Sequence, residues 1–136
     1  MDIIGTLEAA LMAALTGDSP PAFTEAPIWA NEAPQTQEAA FVVYRIVSET
    51  PWVDLEGETG TDQARVQFDV QAATYQELVA ISRALRSALR GIGSTDPDSV
   101  IQSVTYSNKV DFLEETTNPK LHRRSLDFVV TCNPSL

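Results

Sequence analysis

The 136-residue sequence contains a single cysteine, Cys132, and a single histidine, His122. One thiol excludes an internal disulfide framework and any multi-cysteine zinc site, and it leaves redox chemistry without a resolving partner. One histidine excludes the usual three-ligand catalytic zinc centre. Both residues fall on what periodicity marks as the last strand, where about 33 Å would separate them at roughly 3.3 Å per residue, so they are no nucleophile and base. Long apolar runs are missing too, with no segment approaching the ~18 residues that span a bilayer. Asp2 and Glu8 stand where a signal peptide carries Lys or Arg, so the expectation is a soluble, unexported protein. No nucleophile elbow or phosphate-binding loop is present, because Gly91-Ile92-Gly93 follows a helix instead of opening one. Asp96 and Asp98 fit a turn at Asp96-Pro97 better than a calcium loop. The expectation is a protein that is not an enzyme and that carries no cofactor or metal.

Basic residues are scarce as well. Nine Lys and Arg stand against 19 Asp and Glu, a net charge of −10, which argues against a protein that binds by neutralising phosphates or an anionic membrane. The imbalance is local. Residues 1–62 hold eleven acidic groups against Arg45 alone, whereas the remainder holds eight of each sign. Opposite patches on copies of one chain attract, so this asymmetry bears on association.

What is present is enough for a core: 43% of residues are hydrophobic and 21% charged, close to globular averages. The length predicts one domain over 1–136. Ile3, Ile4, Leu7, Leu11 and Leu15 line one face of an N-terminal helix. After Gly17, Pro20, Pro21, Pro27 and Pro34 predict an extended connection over about 16–38, with Phe23, Ile28 and Trp29 as anchors onto the body or onto a partner. Phe41 to Val47 is a β-rich run suited to an interior strand. Glu49 to Asp62 reads as an acidic hairpin loop, with Asp54, Glu56, Glu58 and Asp62 around Trp52 and Leu55. Ala64 to Ala73 alternates, placing Val66, Phe68 and Val70 inward and Arg65, Gln67, Asp69 and Gln71 on a wet face.

Thr74-Tyr75-Gln76-Glu77 matches a capping box that opens a helix over Tyr75 to Arg90, with Gly91 as a left-handed terminator. Val100, Val104, Tyr106, Val110 and Phe112 share one parity across Ser107 and Asn108, which points to a single long strand, regular or bulged, instead of two. The final strand alternates through Leu126, Phe128, Val130 and Cys132, and its polar start, Lys120 to Arg124, is expected to project beyond the core. The predicted fold class is α+β: an antiparallel four-stranded sheet with two helices packed on one face, in the order α-β-β-α-β-β. On the second helix, Arg83, Arg86 and Arg90 fall in one narrow sector nearly opposite the apolar stripe, with Val79 among them. That sector is either an ordinary solvated face or a contact face for an acidic surface on another copy.

The arrangement resembles the tail terminator, or tail completion, proteins of long-tailed bacteriophages. The resemblance rests on the helix Ile3 to Leu15, the passage with Ile28-Trp29 and Ala33-Pro34, and the strands Phe41 to Ser48 and Arg65 to Ala72. The helix Thr74 to Arg90 and the closing Arg123 to Val130 extend it across nearly the whole chain. It implies a non-enzymatic virion protein at the head–tail junction, assembled in the host cytoplasm. Such a protein forms a homo-hexameric ring on the head-proximal end of the tail tube, ends tube growth and offers a surface for joining the head. The implied partners are further copies of itself, the tail tube protein and a head–tail connector protein, with genomic DNA passing through the ring without specific binding. The alternatives are another head–tail connector subunit or, in a different class, an unrelated bacterial binding domain or small enzyme. The residues expected at a subunit or tail-tube interface are Trp29, Trp52, Asp54, Glu56, Glu58, Asp62, Val79, Arg83, Arg86 and Arg90.

Overall fold

In a computed structural model the described residues are 7–17, 23–33, 40–92, 100–114 and 121–133. Helix α1 spans Leu7–Met12 and runs into a π-helical turn over Ala13–Gly17. The Thr16 hydroxyl donates to the Met12 carbonyl at 2.7 Å, a side-chain bond that competes with regular helix continuation. Leu7, Leu11 and Leu15 are buried as their spacing requires, while Ile3 and Ile4 lie outside the described residues.

Five strands form one sheet in the order β1-β2-β3-β5-β4: β1 Ile28–Ala30, β2 Phe41–Asp54, β3 Gly57–Ala72, β4 Ile101–Glu114 and β5 Leu121–Cys132. The expected α+β fold with an antiparallel four-stranded sheet in the order α-β-β-α-β-β is therefore corrected: the chain is mostly β, with two short helices, a fifth strand that precedes β2 in the order α-β-β-β-α-β-β, and a sheet that this strand makes mixed. Strand β1 lies inside the passage read as an extended connection and pairs parallel to β2, Trp29 opposite Val43. It was hidden because it is three residues long and follows Pro27, whose missing amide suits only an edge position. Val42 N–H donates to the Pro27 carbonyl and Asn31 N–H to that of Tyr44, both at 2.8 Å. Asn31 then leaves the sheet in the left-handed region, at φ 65°, which Asn tolerates better than most residues.

The expected acidic loop is also corrected. Strands β2 and β3 continue through it to a two-residue turn at Leu55-Glu56, with Asp54 opposite Gly57. Glu56 N–H donates to Asp54 Oδ1 at 2.8 Å, and Gly57 takes φ 116°. Opposite Trp52, β3 inserts extra residues around Gly60, at φ 86°, and the Thr59 hydroxyl donates to the Trp52 carbonyl at 3.1 Å. Glycine permits both positive φ angles, so the pairing survives residues that look like loop.

Helix α2 spans Tyr75–Arg90, and the Thr74 hydroxyl accepts from Glu77 N–H at 3.2 Å as the capping pattern predicts. Its end differs from expectation. Gly91 is right-handed, at φ −79°, and its N–H reaches the Ala88 carbonyl at 3.2 Å, so a tightened last turn satisfies the terminal carbonyls without a left-handed residue. Leu78, Ile81, Leu85 and Leu89 join Leu7, Leu11 and Leu15 in one core with Val42, Val66, Phe68, Val70, Leu126, Phe128 and Val130. Rings cross that core in a chain, Tyr44 to Phe68 at 5.8 Å, then Phe68 to Phe128 and Phe128 to Tyr106, each at 5.5 Å.

Strand β4 is bulged at Ser107, where Tyr106 pairs with Phe128 but Asn108 pairs with Asp127. An extra residue reverses parity, so Val110 and Phe112 leave the face shared by Val104 and Tyr106 and are exposed. The expected single strand is present in its bulged form, and the parity shared by Val104 and Tyr106 ends at the bulge.

Candidate functional site

The hairpin of β2 and β3 outlasts the sheet. Asp62 pairs with Pro51 on one side and with Cys132 on the other, and beyond that row the hairpin has no further sheet partner among the described residues. The tip at Leu55 stands four positions past Pro51, about 13 Å at roughly 3.3 Å per residue. This arm gathers Trp52, Asp54, Glu56 and Glu58, all exposed, together with exposed Val53 and Leu55. Asp62 sits at its base, half-buried.

Acidic groups accumulate at that base. The Glu49 carboxyl lies within hydrogen-bond range of the Asp62 carboxyl, which with partial burial and the charges of Asp62 and Glu8 pushes its pKa up to about 7. Burial, with Glu49, Asp62 and Glu8 nearby, pushes the Cys132 thiol up to about 12. A buried thiol held in its neutral form is a poor nucleophile. Its Sγ contacts the Asp62 carbonyl oxygen at 3.6 Å, which ties the last strand to the base of the arm.

Arg83, Arg86 and Arg90 are exposed, but they do not simply point away from the fold. The Arg86 guanidinium lies over the Tyr106 ring, 3.9 Å from its centroid, so this sector of α2 flanks β4. A groove of about 310 Å³ between the two elements is lined by Arg86, Arg90, Val104, Thr105, Tyr106 and Phe128. A second hollow of about 250 Å³, lined by Arg83, Arg86, Ser87 and Arg90, shares two of those arginines. Among the described residues none of the three arginines has a carboxylate partner. Val79 is half-buried and lines neither hollow. Sequence spacing finds the arginines but not Tyr106, whose position depends on the β4–β5 register.

Trp29 is not brought to either feature. It lies on β1, at the opposite edge of the sheet from β4, and its indole N–H is buried without a hydrogen-bond partner. The polar start of β5 does not project beyond the core, because it is paired on both sides within the sheet. Arg124 shares parity with Leu126 and Phe128 and is buried, with Nε 2.6 Å and one terminal nitrogen 3.1 Å from the two Asp111 carboxylate oxygens. That nitrogen also lies 3.5 Å from the Tyr75 hydroxyl, linking the first turn of α2 to β4 through β5. The bidentate pair holds the Asp111 carboxyl below its ordinary value and the guanidinium above its own. On the other face Arg123 approaches Asp69 at 3.6 Å, and Gln67 donates to the Ser125 hydroxyl at 2.6 Å. Asp69 and Ser125 are therefore nearly covered on a face expected to be wet. Strand parity at Arg124 was the available signal for this network.

Among the described residues no group of three or more His, Cys, Asp or Glu is placed to hold a metal, and no helix is long and apolar enough to cross a membrane. The two surface features are an acidic arm and a basic groove. A model of the family described as tail completion protein gp17 matches residues 8–132. The chain belongs to this family of bacteriophage virion proteins and has a structural role in the phage tail. No curated protein matches it.

Proposed function

We propose that the protein is a tail terminator: six copies form a ring on the head-proximal end of the tail tube, stop its growth and present the surface that joins the head. The observation that carries this reading is family membership across nearly the whole chain. The charge supports it. A subunit with net charge −10 lining a DNA conduit does not grip phosphates, so a genome can pass. In this reading the tail tube protein and a head–tail connector protein contact opposite faces of the ring, and no catalytic step is involved.

The test is a phage lacking the protein. Its tails are expected to be irregular in length and unable to join heads. Normal-length tails joined to heads would remove the assignment, and normal-length tails that fail to join would move the protein to another connector position.

A further inference from the structure

The acidic arm and the basic groove lie on different parts of one chain and cannot meet within it. Ile46, Val66, Phe128 and Tyr106 form one row across the sheet, and Leu55 lies nine positions along β2 from Ile46. At roughly 3.3 Å per residue the tip is about 30 Å from the row that carries the groove, and the strands lead away from it. The two features nevertheless match. Asp54, Glu56 and Glu58 flank Leu55, which is fully exposed, whereas Arg86 and Arg90 line the groove beside Val104 and Tyr106 and Arg83 lines the adjoining hollow with the same two arginines.

We infer that the groove between α2 and β4 receives the β2–β3 arm of a second copy, with Leu55 against Val104 and the stacked Arg86–Tyr106 pair and the arm's carboxylates on the three arginines of the groove and its adjoining hollow. This rests on the ring reading and gives it a contact. Arm and groove are different surfaces, so the contact is heterologous: each copy gives its arm to one neighbour and takes the arm of the other, which closes into a ring when the rotation per step fits. Arginine suits the receiving side because its planar guanidinium pairs with carboxylates and stacks on rings at once, as Arg86 already does on Tyr106. Such an interface is steered by charge and weakens as salt screens it.

Two cysteine substitutions test this directly in the full-length protein. Leu55→Cys with Thr105→Cys in one chain should, on mild oxidation, give a covalent ladder ending at six. Mixing the two single variants should give only cross-linked dimers. In parallel, Arg83→Glu, Arg86→Glu and Arg90→Glu together should convert rings to monomers of unchanged circular dichroism, and adding Asp54→Lys, Glu56→Lys and Glu58→Lys should restore rings. Wild-type rings, together with a double-cysteine variant that does not cross-link and a triple reversal that leaves rings and tube binding intact, would overturn the contact and leave the ring reading standing. Rings that survive reversal but lose tail tubes would overturn it in favour of a tube partner. A wild-type protein that sediments as a monomer, alone and with tail tubes, would remove both.

Discussion

Phe68 and Phe128 sit at the crossing of the ring chain, both almost fully buried, with Phe68 touching Tyr44 and Phe128 touching Tyr106. Phe68→Ala should lower unfolding free energy by about 3 to 5 kcal/mol, read from chemical denaturation, because lost burial adds to an unfilled cavity. Charge effects have opposite signs at two carboxylates. Glu49 binds its proton up to about pH 7 in the native chain but only to about 4.5 when unfolded, so the stability it contributes is full below pH 4.5 and lost as pH rises through 7. Glu49→Gln should therefore raise the melting temperature at pH 8 and leave it unchanged near pH 4.5. Asp111 is lowered by Arg124, so its contribution is present above its usual 3.8 and lost as pH falls through the native value. Asp111→Asn should lower stability by about 2 kcal/mol at pH 7, because it strips a buried guanidinium of its counter-charge, and the difference should shrink in strong acid.

Elements with uninterrupted periodicity were legible in the sequence. Helix α2 runs over Tyr75–Arg90 as its cap and stripe require, and the inward positions of β3 and β5 are those of their alternation. What was lost involves partners that no local pattern reveals. Strand β1 exists because β2 offers it an edge, and the parity change in β4 comes from one extra residue at Ser107. The arm looked like a loop because Pro51, Gly57 and Gly60 are breakers in isolation, although a hairpin absorbs them at bulges and turns. None of the arm's tip residues joins the core, so Leu55→Ser with Val53→Thr should change stability by less than about 0.5 kcal/mol in denaturant titration. The same variant should weaken self-association measured by sedimentation. The arginine half of the candidate site was visible as a helical sector, whereas Tyr106 beside it needed the register of two strands.

At the scale of the whole molecule, charge is separated in space as it is in sequence, with an acidic arm at one end of a β2–β3 hairpin and an arginine groove beside the edge strand β4. In the proposed contact, like-charged arms repel and the orientation that sets arm against groove is the attractive one. Self-association should therefore fall as salt rises through the range where the screening length drops below ~8 Å. The proposed terminator role requires that a ring form on the end of a tube. Electron microscopy of tail tubes mixed with the purified protein measures this most directly. A single ring of six subunits on one end of each tube is expected, with no further elongation when tube protein is added. Bare tube ends that continue to grow in the presence of excess protein would contradict it.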